Sequence, residues 1–283
     1  MTTPVRVKIR RTLTDTPLAR LHERSILEHG SRRHKPIPFE RFDRTKYPAA
    51  ALALAFHAQK ALALGEYTAV DLFAQIASGL ALNGAPFDIV AAATRVPSDE
   101  IRHADLTFRM ARLLSDGDVE VQFERAPLGG RTAQGMSLEA LDGTIVEVSA
   151  IGETLSCALL GACRERATDP ALHAIYASIV ADEIHHARLG WYYLTWRAPQ
   201  WTRAERQRIA DRAGAMVMEV ETRFCRGRDA PAAARRAARA LGVLESSGQR
   251  AAVRAVMQDE IVPALDALGL GASHAWRARK RGR

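Results

Sequence analysis

One octapeptide occurs twice in this chain with little change. Residues 99–106 read DEIRHADL and residues 182–189 read DEIHHARL, identical at six of eight positions. A Gly-Glu pair stands upstream of each copy: Gly65-Glu66 before the first and Gly152-Glu153 before the second. The order Glu … Asp-Glu-x-x-His thus repeats, with Glu-to-Glu gaps of 34 and 30 residues. A single helix–turn–helix hairpin used twice accounts for the pattern. A lone Glu-x-x-His would mean little, because 17 glutamates and 9 histidines in 283 residues give roughly half a match by chance. Two copies inside a duplicated octamer, each with its upstream glutamate, carry far more weight.

Helical spacing places these residues in an interior. Tyr176, Ile179, Glu183, His186 and Gly190 follow one another in steps of three and four, as do Val96, Glu100, His103, Thr107 and Met110. Gln59, Leu62, Glu66, Ala69 and Phe73 share one face, and so do Glu153, Cys157 and Leu160. Such steps trace the buried seam of a helix bundle. Four glutamates and two histidines therefore stand where a bundle calls for leucine. Burying ionised carboxylates without partners costs on the order of several kcal/mol each. Two divalent cations would cancel the four negative charges and accept the lone pairs of both imidazoles. The mixed oxygen and nitrogen donors suit iron or manganese and lack the thiolates of structural zinc.

The rest of the chain reads as helix. Residues from about 48 to 82 are rich in Ala and Leu with no proline after Pro48, which predicts one long helix ended by Asn83-Gly84. A second is expected over about 86–115, with Pro97 splitting it and Ser98 capping the restart. Others are expected at about 137–167, at 170–196 opened by Asp169-Pro170, and at 202–226, 231–243 and 247–268. Residues 116–136 carry turn signals and predict a loop, with DVEVQFE as its one candidate strand. The expected class is all-α. Its parts are a basic extended arm (1–46, with a short helix around 17–28), a four-helix bundle (47–199), and accessory helices with a basic tail (200–283).

Charge collects at the two ends. Of the net +8, residues 1–46 carry +7 and residues 272–283 carry +5, which leaves −4 for 47–271. Basic ends attract nucleic acid, anionic lipid or an acidic carrier protein without choosing among them, or simply keep a chain soluble. The last twelve residues are expected to be dispensable for folding. No secretory leader is legible at the N-terminus, and no apolar run reaches the roughly 20 residues of a membrane span. Three cysteines (Cys157, Cys163, Cys225) without a CxxC pair indicate neither a disulfide framework nor a zinc knuckle. The cytoplasm is the expected location.

The duplicated pattern resembles the ferritin-like di-iron carboxylate proteins, in which two helices supply one Glu each and two supply Glu-x-x-His. The resemblance covers about residues 48–196 and implies six metal ligands: Glu66, Glu100, His103, Glu153, Glu183 and His186. In members that activate oxygen, the Asp before the motif Glu often bonds a ligand His on the other motif helix. Asp99 and Asp182 match that position, and a metal-bound imidazole needs such a partner for its other N–H. The near-symmetry of the hairpins predicts similar sensitivity at both aspartates. The chain differs from ferritins in its length and second Glu-x-x-His, and from rubrerythrins in having no Cys-rich iron domain.

What the resemblance implies is a non-haem dinuclear iron, or Mn/Fe, oxidase or oxygenase that uses O₂ on a small-molecule or carrier-bound substrate. No flavin, nicotinamide or iron–sulfur motif is present, so electrons are expected from an external donor. No residue beyond the metal centre is assigned as catalytic. Iron oxidation with storage or peroxide removal is the alternative. A non-enzymatic, metal-stabilised binder of an anionic partner is the third. Cys157, one turn past Glu153, and Tyr176, two turns before Glu183, are the candidates to line the cavity beside the metals. His185 points away from the ligands, Trp191, Tyr192, Tyr193 and Trp196 read as core, and Arg235, Arg236 and Arg239 read as a solvated face.

Overall fold

Ala and Leu carry the least side-chain entropy cost in a helix, and residues 49–82 consist largely of them. In the computed structural model they form a 34-residue helix, α1 (Ala49–Leu82). The side chain of Asn83 donates to Gly79 O, and Gly84, at φ 67°, takes the left-handed turn that ends the helix. The structure describes residues 5–9, 16–17, 20, 35–115, 117, 119, 121–125, 136–225 and 230–279. Most of the short helix expected around 17–28 lies outside them.

After α1 come α2 (Phe87–Ala93) and α3 (Val96–Ser115). The split expected at Pro97 falls two to three residues earlier, at Thr94-Arg95. Pro97 is the second residue of α3, where a missing N–H leaves no helical bond unmade. Ser98 does not cap the restart; its N–H already bonds Arg95 O within the first turn. Next in the helical series is α4 (Leu138–Arg166), which passes through a π-helical stretch at Ile145–Gly152. Asp169 caps α5 (Pro170–Arg197) by accepting from the N–H groups of Ala171 and Leu172. Thr202 and Glu205 form a reciprocal capping box for α6 (Arg203–Phe224). Then follow α7 (Ala232–Ala238), α8 (residues 246–267, with a π turn at Met257–Ile261) and α9 (Ala272–Ala278).

The helical class therefore holds, with one addition. Val5–Ile9 (β1) pairs antiparallel with Val121–Arg125 (β2), Val7 opposite Phe123. The candidate strand in the long loop is thus a strand, and its partner comes from the N-terminal arm.

Two apolar clusters reveal how the long helices run. One gathers Phe73, Ile76 and Leu80 from the end of α1 with Leu141, Ile151 and Leu155 of α4 and Leu189 and Leu194 of α5. The other gathers Leu52 and Ala55 from the start of α1 with Met110 and Leu114 of α3, Leu160 of α4 and Leu172, Ile175 and Ile179 of α5. Hence α1 and α5 point one way, and α3 and α4 the other. Cross-links agree: Tyr47, just before α1, donates to Asp169 at the start of α5, and Asn83 donates to Met136 O, just before α4. The end of α3 and the start of α4 therefore lie at opposite ends of the bundle.

Two expectations need correction. The segment 272–283 is not a solvated tail throughout. Through Arg279 it is a packed element: Ala272, Ala275 and Trp276 of α9 are buried in the larger cluster. Arg279 stacks on the Trp276 ring at 3.6 Å and donates to Glu221 of α6. Apolar residues every three or four positions (Ala272, Ala275, Trp276) offset the basic ones, and net charge alone hid them. Likewise, α4 is long and apolar enough to cross a membrane by length and composition, although half of its apolar window is buried inside this protein.

Candidate metal centre

Between the two apolar clusters, α1, α3, α4 and α5 each present acidic or histidine side chains to one another. There α1 presents Glu66, α3 presents Glu100 and His103, α4 presents Glu153, and α5 presents Glu183 and His186. These six residues form two overlapping groups: Glu66, Glu100, His103 and Glu183, and Glu100, Glu153, Glu183 and His186. Within each group one ligand atom per residue lies within 4.8 Å of the others. Glu100 and Glu183 belong to both. Each group could hold a metal ion, and the two groups have two carboxylates in common.

The imidazoles set the orientation. Nδ1 of His103 lies 3.3 Å from Glu183 Oε1 and 3.7 Å from both Glu66 Oε2 and Glu100 Oε2. Nδ1 of His186 lies 3.1 Å from Glu100 Oε1 and 3.6 Å from Glu183 Oε2. The ring centroids are 5.8 Å apart. On the far side, His103 Nε2 lies 3.1 Å from Asp182 Oδ2, and His186 Nε2 lies 3.3 Å from Asp99 Oδ2. Each aspartate thus reaches the histidine of the other motif. With Nε2–H donated to a carboxylate, Nδ1 of each ring is left as a lone-pair donor aimed at the glutamates.

Orphaned atoms test whether metals fit. Nδ1 of both histidines, both oxygens of Glu100 and Oε2 of Glu183 are buried without a hydrogen-bond partner. Buried polar atoms are nearly always paired, and five unpaired ones converging on a single point are a ligand set. Cations would satisfy all of them. Proton positions respond to the same crowding. Burial pushes Glu66 and Glu153 well above the carboxylate range, with the neighbouring glutamates adding to it. Burial acts against the charge of His103 and His186, yet Asp182 and Asp99 with the surrounding glutamates outweigh it, and His186 reaches about 11. Glu100 and Glu183 feel burial too, but the adjacent imidazoles, and Glu153 beside Glu183, outweigh it and hold both low.

Local features hold this layer in place. The π-helical stretch ends at Gly152, directly before Glu153. π-bulges of this kind are common at functional sites because they re-aim the following residue. Within it, Ser149 donates to His186 O at 2.8 Å. Gly190, one turn after His186, lies so close to α4 that an added Cβ would come within 2.5 Å of Ala150 N. These two contacts bring Glu153 beside Glu183. Phe73 stacks obliquely near His186, with centroids 6.0 Å apart.

Arg102 was not among the expected site residues. It is buried, and it donates to Ser178 and Asp182 of α5. It occupies the octamer position that His185 has in the second copy, and His185 is exposed. That difference between the repeats was the available signal.

The remaining candidates separate. Cys157 is partly buried and close enough to Glu183 to feel its charge; burial, then Glu183 and Glu260, push its thiol up to about 12. Tyr176 belongs to the apolar cluster, where its hydroxyl accepts from Gln59 at 2.8 Å. It lies two turns, or about 10 Å, along α5 from Glu183 and is not in either ligand group. Tyr193 is core, Trp191 and Trp196 are partly buried against it, and Tyr192 is exposed. Arg239 pairs with Glu245 at the surface. No protein-family model, curated protein or solved structure matches the chain.

Proposed function

We propose that this chain is a dinuclear metal protein of the ferritin-like di-iron carboxylate kind, acting as an oxidase or oxygenase with iron, or iron and manganese. One observation carries the reading: two buried ligand groups share Glu100 and Glu183 and leave their lone pairs otherwise unused. The helix directions support it, since two antiparallel hairpins joined by one long crossing connection are the topology of ferritin-like bundles. In this reading Glu66, Glu100, His103 and Glu183 would hold one ion and Glu100, Glu153, Glu183 and His186 the other, with the histidines binding through Nδ1. Asp99 and Asp182 hold the Nε2 protons and so fix ring tautomer and direction. The apolar clusters above and below, with Phe73 against His186, keep bulk water from the layer. An iron pair bound there supplies the redox chemistry toward O₂ that no side chain of this protein has. Electrons come from a separate donor in this reading.

Anaerobic reconstitution with ferrous iron tests it. About two ions per chain are expected, followed by oxygen consumption when air is admitted. One zinc per chain, or no metal after reconstitution, would refute the assignment. Two ions without oxygen consumption would leave a metal-stabilised binding protein.

A further inference from the structure

The two metal positions are alike in ligand type and unlike in surroundings. The ligand atoms of both groups are enclosed, but as whole residues Glu66, Glu100, His103 and Glu183 of the first are all buried, whereas Glu153 of the second keeps partial exposure. Behind His103 stands Asp182, 4% exposed as a side chain, and behind Asp182 stands the Arg102 guanidinium, which also holds Ser178. This chain of contacts, Ser178–Arg102–Asp182–His103, crosses from α5 to α3 and back without reaching solvent. Behind His186 stands Asp99, whose side chain is 33% exposed. The second group also includes Glu153, the least enclosed of the six ligands. It follows Gly152 and the π-helical stretch, where wide i→i+5 bonds replace the tighter helical ladder.

Resting on the dinuclear reading, we propose that Arg102 is a positioning residue that makes the His103 position the tight, slowly exchanging one, and that the His186 position is the open one through which the second ion enters and leaves. Arg102 fixes Asp182 from behind, so His103 keeps one tautomer and one ring direction whether or not metal is bound. Preorganisation of this kind lowers the cost of capturing an ion. Asp99 receives only the His186 ring among the described contacts and is open to water, which competes for its oxygens. Glu153, the one ligand with partial exposure, is the residue whose movement opens the second position, whereas every ligand of the first is buried. The octamers themselves record the difference, with Arg102 in one and the exposed His185 in the other.

Mn(II) is a suitable probe, since calorimetry reads affinity and the loss of its free-ion paramagnetic signal counts bound ions. Wild-type protein should take up two ions in two steps at least about tenfold apart. Arg102→Gln should weaken the first step by about 10–100-fold, as loss of an outer partner of a metal ligand does. It should leave the second step nearly unchanged, and Arg102→Lys should recover part of the loss. Glu153→Ala should abolish the second step and keep the first, and it provides a test at a less enclosed site should Arg102→Gln fail to fold. Two ions bound with equal affinity would overturn this inference and leave the dinuclear reading standing, as would Glu153→Ala losing the first step. Arg102→Gln weakening both steps alike would also overturn it. No uptake by the wild type would overturn both.

Discussion

At the scale of residues, the Asp–His pairs carry the sharpest contrast. Asp99 and Asp182 occupy the same octamer position, and the duplicated sequence predicts equal sensitivity for both. The structure breaks that symmetry through Arg102. Replacing Asp182 by Asn removes the charge facing a buried guanidinium, and breaking a buried ion pair from one side costs about 3–5 kcal/mol. Asp99 is partly solvated with no such cation behind it, so Asp99→Asn should cost at most about 1 kcal/mol. Chemical denaturation of the two metal-free variants checks this; equal losses would show that Arg102 does not depend on Asp182. Metal affinity should fall in both, by about 10–100-fold, because each imidazole loses its carboxylate.

The same residues predict how the metal-free protein responds to pH. The folded site holds protons on Glu66, Glu153, His103 and His186 more tightly than an unfolded chain would. Where the folded state binds more protons, stability falls as pH rises. For His186 that window runs from its ordinary 6.5 to about 11. For the two glutamates it begins at their ordinary 4.5. Glu100 and Glu183 act oppositely, contributing stability above 4.5 that is lost as pH falls through their lowered values. Melting temperature of the metal-free protein should therefore decline from pH 6.5 upward. Metal uptake must displace those protons, so affinity should increase over the same range. A metal-free melting temperature that holds level to pH 10 would contradict the proton placement.

At the scale of elements, the contact of α4 with α5 decides where Glu153 stands. In an ordinary helix Gly→Ala gains roughly 1 kcal/mol from propensity. At Gly190 the added methyl would meet Ser149 and Ala150 backbone atoms, which cannot rotate away. Overpacking of this sort costs about 1–3 kcal/mol, so crowding outweighs propensity. Gly190→Ala should be destabilised in denaturant, and its second metal should bind more weakly because α4 is pushed off α5. A variant as stable as wild type with unaltered metal binding would show that the two helices do not need this approach.

At the scale of the whole molecule, the C-terminal helix ties the accessory layer together. Buried Glu221 of α6 accepts a two-point contact from Arg254 of α8 and a bond from Arg279. Trp276 is buried in the larger apolar cluster beside Val217 and Met257. Deleting residues 272–283 removes that tryptophan and the Arg279 cation on Glu221. Truncating a buried Trp side chain alone costs about 3–5 kcal/mol. The deletion should lower the melting temperature by several degrees or more, measurable by circular dichroism. An unchanged melting temperature would restore the picture of a free basic tail.

The duplicated Glu … Asp-Glu-x-x-His is legible from sequence because its chemistry and its period agree. Glutamate and histidine at three- and four-residue steps stand on the buried stripe, and such residues need either each other or a metal there. Helix extents were legible too where Asp169-Pro170 and Asn83-Gly84 act locally. What only the tertiary structure decided depends on which surfaces meet. Arg102 lies inside because α3 at that point faces Ser178 and Asp182 of α5, while His185 at the equivalent position of α5 faces solvent. The π-helical stretch exists where Gly190 lets α5 press against α4, and no local preference of Ile145–Gly152 announces it. Likewise α9 is held by Glu221, through Arg279, and by the apolar cluster from distant segments that buries Trp276. A sequence specifies period and chemistry residue by residue. Burial is a property of pairs of surfaces, so the inequality between two nearly identical octamers arises only when the helices pack.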